Sequence, residues 1–165
     1  MIPSPTKTED MVLPAGYTSR PVTLADAAAA ADLENTYSMA LTGKPAILAD
    51  EIRSDWGQPG INLAADTRAV FTSGGTMVGL VEVWANDPYV RHFVFAEVAG
   101  AHEGQGIGSA LGHWADARAR ELLPRAPEGA RVTMRQFKLE RDSGAAALLR
   151  RQGYELARHN LRMTV

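Results

Sequence analysis

Four glycines, Gly100, Gly104, Gly106 and Gly108, mark the place where this chain could hold an anion. They stand between the stretch FVFAEV at residues 93–98 and a helix-patterned stretch that opens at Ile107. The first stretch is β-branched and aromatic without helical spacing, which predicts a largely buried strand. After the glycines the inward positions fall at Ile107, Leu111, Trp114, Ala115, Arg118 and Leu122, the spacing of one helix face. A glycine turn that feeds a helix leaves several backbone N–H groups unpaired at the positive end of the helix dipole. The usual occupant of such a place is a phosphate. Close packing of strand on helix would explain one or two of these glycines but not all of them.

Two phosphate motifs are excluded by spacing. A Walker loop needs Lys followed by Ser or Thr after its second glycine, and neither stands here. A Rossmann fingerprint started at Gly104 places its third glycine on Ser109, and one started at Gly106 places it on Leu111. The next strand, residues 131–136, also ends without the carboxylate that would hold a ribose.

The segment that does fit is VAGAHEGQGIGSAL at residues 98–111. It resembles motif A of the GCN5-related N-acetyltransferases, Q/R-x-x-G-x-G/A after a strand ending V-x-P, with Gly106 and Gly108 matching. Glu103 stands where that family has Arg or Gln, and Gly100 where it has Pro. The C-terminal LLRRQGY at residues 148–154 looks like the family's motif B, matched at Gly153 and Tyr154 but carrying Leu149 at the tyrosine that serves as thiolate acid.

The resemblance implies acetyl-CoA as co-substrate and a cleft where the central strand splays from the next one. Ala96 and Val98 would offer backbone to the pantetheine arm. The N–H groups of Glu103, Gly104, Gln105, Gly106, Ile107, Gly108 and Ser109 would face the diphosphate. A carboxylate about 6 Å from a phosphate charge repels it by roughly 1 kcal/mol at an effective dielectric near 40. Several charge-assisted N–H bonds at ~1.5–3 kcal/mol each outweigh that, so Glu103 should weaken the site without abolishing it. His102, Lys138 and Arg141 are the cations that could compensate.

Attack of an amine on a thioester needs a base, a donor to the carbonyl oxygen and an acid for the thiolate. In histone-type relatives the base is a Glu six residues before the motif A valine, and His92 takes that position here. An imidazole titrates near neutrality and suits the role; the plainer reading of His92 is a strand-edge surface residue beside Arg91. Glu82 on the preceding strand is a second candidate base. Glu97 lies on the opposite strand face from His92 by alternation and reads as structural, or as the partner of a basic residue. Tyr89, in the loop before the central strand, is the candidate acid, while Tyr154 reads as core. Trp56 and Trp84 could floor an acceptor pocket, although aromatics in such places are more often core.

Composition narrows the function classes. The 165 residues suffice for one domain, and a net charge of -2 gives no electrostatic footprint for nucleic acid or an anionic membrane. The chain has no Cys, which removes disulfides, thiol catalysis and thiolate metal sites. No His/Asp/Glu grouping has metal-ligand spacing, so no metal is expected. Without a signal-like or membrane-length apolar run, a cytoplasmic protein is expected. A small-molecule amine acceptor and a homodimer are further implications of the resemblance.

Residues 1–15 hold three prolines and little periodicity, which predicts a mobile leader before a single domain at residues 16–165. A strand is expected at residues 17–22, then an Ala-rich helix opened by Thr23 and Asp26 and running to about Met39. Leu24, Ala27, Ala28, Ala31 and Leu33 would form its thin inner face. A second helix is expected at residues 46–56, a hairpin of residues 68–72 and 76–84 across Ser73-Gly-Gly75, and the central strand from Arg91. The long helix, a strand at residues 131–137, a helix at residues 144–152 capped by Asp142 or Ser143, and one or two closing strands in residues 154–165 complete the chain. That order predicts an α+β domain: a mixed, mostly antiparallel sheet with helices on both faces. It is also the element order of the N-acetyltransferase fold, so the resemblance runs from Tyr17 to the C-terminus. Two other readings share the cleft: a degenerate acyl-CoA-binding module, and an enzyme of other thioester chemistry.

Overall fold

The computed structural model describes residues 11–161. Five strands form one sheet in the order β1 (Tyr17–Arg20), β2 (Thr67–Thr72), β3 (Met77–Ala85), β4 (Arg91–Val98) and β5 (Thr133–Gln136). All neighbours pair antiparallel except β4 and β5, which are parallel. The mixed, mostly antiparallel sheet is the one expected.

Helices cover both faces. On one side α1 (Ala27–Thr42) and α2 (Ala49–Trp56) pack through Ala27, Ala30, Ala31, Leu33, Ile52 and Trp56 onto Leu80 and Met77. The alanines bring α1 close to the sheet. Leu24 and Ala28, expected on the inner face, lie outward instead, because the three residues after Thr23 form a 3₁₀ turn before α1 begins. On the other side α4 (Ile107–Leu122) buries Ile107, Leu111, Trp114, Ala115, Ala119 and Leu122 against Val70, Val81, Val83 and Val94. Arg118, on the edge of that stripe, instead bonds Asp66 and Glu121. Residues 77–83 of β3 are buried throughout, as a strand covered on both faces must be. Burying each valine there contributes roughly 1.5–3 kcal/mol.

Local signals hold at the helix ends. Asp142 caps α5 (Ser143–Arg151) by accepting from the Ala145 N–H, and Gly153 follows it at φ +85°. A short helix not expected from the sequence, α3 (Leu63–Asp66), is started by Asn62, whose side chain accepts from Ala65 N–H. The expected closing strands are absent over residues 154–161, and residues 162–165 lie outside the described part. Apolar and polar residues are mixed in that segment without the strict alternation that would hold a ladder. Residues 1–10 of the expected leader also lie outside the described part, whereas Met11 and Leu13 pack against the α4-side core.

Candidate active site

The central strand outruns its parallel neighbour. Pairing of β4 with β5 stops at Val94 and Gln136, while β4 continues to Val98. Beyond that point its β5-facing edge carries the backbone groups of Ala96 and Val98. The direction is fixed by Ala96, whose carbonyl accepts from the Lys138 ammonium across the opening. On the other edge β4 stays paired with β3 as far as Val98 and Gly79.

The glycine turn follows directly. Gly104 and Gly106 hold φ of +73° and +89°, a region that costs L-residues with a Cβ about 1–2 kcal/mol. At both, a Cβ would meet nothing within 4 Å, so the requirement is backbone geometry rather than space. Gly106 is the N-cap of α4 and gives no side-chain cap; the first intrahelical bond runs from Ala110 N–H to its carbonyl at 3.0 Å. The N–H groups of Ile107, Gly108 and Ser109 therefore end the helix without intrahelical acceptors. Gly108 permits a different contact: a Cβ there would come within 2.9 Å of Leu148 on α5. Tyr17 of β1 pins the turn, bonding His102 Nδ1 at 2.7 Å and donating to Gln105 Oε1 at 2.9 Å.

Glu103 lies exposed on this turn, and the cations expected to compensate are engaged elsewhere. His102 is held by Tyr17, Arg141 donates to the Leu41 carbonyl, and Lys138 turns to Ala96 and to Glu97 at 3.7 Å. The N–H groups fit a diphosphate, and the β4 edge past the ladder, whose Ala96 carbonyl is held by Lys138, offers its remaining backbone groups to an amide-bearing arm. The one misfit is the charge of Glu103.

Across the same end of the sheet, Glu82 of β3 sits opposite Phe95, the first β4 residue past the ladder. It is 8% exposed and faces the α1–α2 side. Trp56 Nε1–H donates to one carboxylate oxygen at 2.9 Å and Trp84 Nε1–H to the other at 2.7 Å. Burial pushes its pKa up to about 7, against the pull of those two bonds. A cleft of about 260 Å³ opens beside it, walled by Trp56, Trp84 and Phe95 with Glu34 and Asp55. Trp56 and Trp84 are thus both wall and hydrogen-bond donors.

The other candidate residues lie elsewhere. His92 is 1% exposed, on the opposite sheet face from Glu82, with Nε2 3.1 Å from the Tyr89 carbonyl; burial lowers its pKa. It is neither at the cleft nor the surface residue of the plainer reading. Tyr89 adopts φ +60° in the loop before β4, beyond the end of the strand away from the glycine turn. There its ring stacks under Arg125 at 5.4 Å. The structure thus sets Glu82 mid-strand at the level where the β4–β5 ladder ends, with Ala96, Val98 and the glycine turn following along β4, and leaves His92 and Tyr89 apart.

Glu97, read as structural, is 3% exposed and paired with Lys138; burial raises its pKa to about 7 despite that ammonium. Two groups had no signal in the sequence. Glu34 and Tyr37 project from α1, and Tyr37 donates to Asp142 at 2.8 Å, with its ring 5.2 Å from Lys138 Nζ. Burial, that bond and nearby carboxylates push the Tyr37 phenol far up, so it stays a donor. Its neighbours three and four residues away on the helix are Leu33, Glu34, Ala40 and Leu41, and no motif marks it. Among the described residues no grouping of three His, Asp or Glu could hold a metal, and no helix is long and apolar enough to cross a membrane.

Comparisons with known proteins agree with this geometry. No family model matches the sequence, and no curated protein matches it. Solved structures do. A GCN5-related N-acetyltransferase from Sphaerobacter thermophilus superposes with a TM-score of 0.79 at 26% identity, over 87% of this chain and 45% of that one. This chain therefore spans less than half of that protein's length. An N-acetyltransferase from Staphylococcus aureus Mu50 gives 0.65 at 17% identity, over 87% and 86% of the two chains. The Salmonella typhimurium protein yncA, solved with its cofactor acetyl-CoA, gives 0.62 at 17% identity over 85% and 80%. The splayed sheet and its glycine turn define an acyl-CoA N-acyltransferase fold. Within that class, the structure this chain superposes on with a TM-score of 0.79 is a GCN5-related N-acetyltransferase.

Proposed function

We propose that this chain is an acetyl-CoA-dependent N-acetyltransferase that modifies a primary amine of a small molecule by direct attack in a ternary complex. The observation that carries this reading is the position of Glu82. A buried carboxyl with a pKa of about 7 faces a cleft at the level where β4 loses its β5 partner. Bound acetyl-CoA would supply a thioester whose carbonyl carbon takes the amine, forming an amide and releasing the CoA thiolate. The Ala96 and Val98 backbone would hold the pantetheine arm, and the N–H groups at residues 103–109 the diphosphate. Glu82, about half ionised at neutral pH, takes the proton that leaves the attacking nitrogen, directly or through water. Its two tryptophan bonds fix both oxygens and keep the carboxylate from turning away.

Two observations favour the alternative of a binding module that transfers nothing. Glu103 has no side-chain partner among the described residues, and Leu149 cannot protonate a thiolate. Calorimetric titration with acetyl-CoA, beside a Glu103→Arg variant, separates the readings. Micromolar binding that tightens at least about fivefold in the variant is expected, the factor that removing roughly 1 kcal/mol of repulsion produces. Binding in the variant alone would mark a disabled cleft, and binding in neither would sink the transferase reading.

A further inference from the structure

The cleft beside Glu82 has a one-sided electrostatic character. Three carboxyls line it, Glu34, Asp55 and Glu82, together with the aromatic faces of Trp56, Trp84 and Phe95. No Lys, Arg or His is among its lining residues. The cation in the neighbourhood, Lys138, bonds Ala96 and Glu97, with its Nζ 5.9 Å from the centre of the Phe95 ring that walls the cleft. Glu34 is half-buried and has no ion pair or hydrogen bond among the described residues; Lys138 reaches it only through space.

From this arrangement we infer that the acceptor is an organic cation without a carboxylate: a primary amine on an aromatic or aliphatic body, with α-amino acids excluded. The inference rests on the transferase reading and narrows its substrate. The aromatic walls accept an apolar body and also favour a cation over their faces. Glu34 and Asp55 attract the ammonium form into the cleft, where Glu82 meets it. An α-carboxylate carried on the same body would enter a space lined by three carboxyls and no cationic side chain, with Lys138 already held by Glu97. At about 6 Å and an effective dielectric near 40, each ionised carboxylate disfavours it by roughly tenfold. Burial raises the Glu34 carboxyl, which is consistent with a side chain that awaits a cation.

Phenethylamine, phenylalanine and phenylacetate share a body and differ in charge. They are titrated by calorimetry into the protein, with CoA present. Turnover is followed in parallel with acetyl-CoA by thiol release, which the absence of Cys leaves free of protein background. Phenethylamine is expected to bind at least tenfold more tightly than phenylalanine, and phenylacetate more weakly than both. Glu34→Gln should shrink the phenethylamine-to-phenylalanine ratio several-fold while CoA affinity stays within twofold. Equal or tighter binding of phenylalanine overturns the inference. So does a ratio unmoved by Glu34→Gln, or no phenethylamine binding at millimolar concentration. Failure of CoA itself to bind strikes the transferase reading instead, and the amine ranking is then read on the protein alone.

Discussion

Replacing Glu82 by Gln tests the base and the physics of its burial together. The side chain keeps its shape, and its amide oxygen can still accept one of the two tryptophan N–H groups, but it can no longer take a proton. Moving a carboxyl from 4.5 to about 7 costs its ionised form about 3 kcal/mol. Because the folded pKa lies above the unfolded one, the protonated carboxyl favours the fold. That stability is fully present below pH 4.5 and is lost as pH rises through about 7. Glu97 behaves in the same sense, so the wild type carries both contributions. The difference in unfolding free energy between Glu82→Gln and wild type should therefore shift in favour of the variant by about 3 kcal/mol between pH 4.5 and pH 8.5. Urea titrations at the two pH values measure it. In kinetics, kcat/KM of the wild type should rise with pH through an apparent pKa near 7. The variant should lose that limb and at least about 10²-fold in rate. A variant that retains a third of its activity, or keeps the limb near pH 7, would refute Glu82 as the base. An unfolding difference that does not move with pH would refute the burial argument.

Other perturbations have equally definite outcomes. Gly106→Ala places a Cβ at φ +89°, so it should cost about 1–2 kcal/mol in thermal unfolding and weaken acetyl-CoA binding. Gly106→Asn should recover part of both, since Asn tolerates the left-handed region, and equal losses in the two variants would argue against backbone strain. Lys138→Met removes the partner of Glu97 and the donor to Ala96. The Glu97 pKa should rise further, making the variant less stable than wild type by about 2 kcal/mol or more at pH 8.5 and closer to it at pH 5. A stability loss of the same size at both pH values would show that Lys138 acts through packing alone.

What could be read from the chain was local. The strand–turn–helix of residues 93–122 is written in a β-branched run, a cluster of glycines and a change of period, all within one short stretch of sequence. The Asp142 cap, the Gly153 stop and the hairpin turn at residues 73–75 are equally short-range, each satisfied by backbone groups within a few residues. Alternation also placed His92 and Glu97 on opposite faces of β4, because the side-chain period of a strand is two. It could not say which face holds the cleft. That depends on α2 delivering Trp56 to Glu82, a contact between residues 26 positions apart whose energy comes from packing onto the α1–α2 side rather than from any motif. For the same reason Glu34, Tyr37 and Lys138 were invisible as a group: they come from α1 and the chain after β5, and only the end of the β4–β5 ladder brings them together. The closing strands failed in the opposite direction, since a strand needs a partner and an alternating pattern, and residues 154–161 supply neither. Thus the glycine turn was determined by the sequence itself. The burial of Glu82 and the character of the cleft beside it were decided by tertiary packing, which alone buries a carboxyl deeply enough to bring its titration near neutrality.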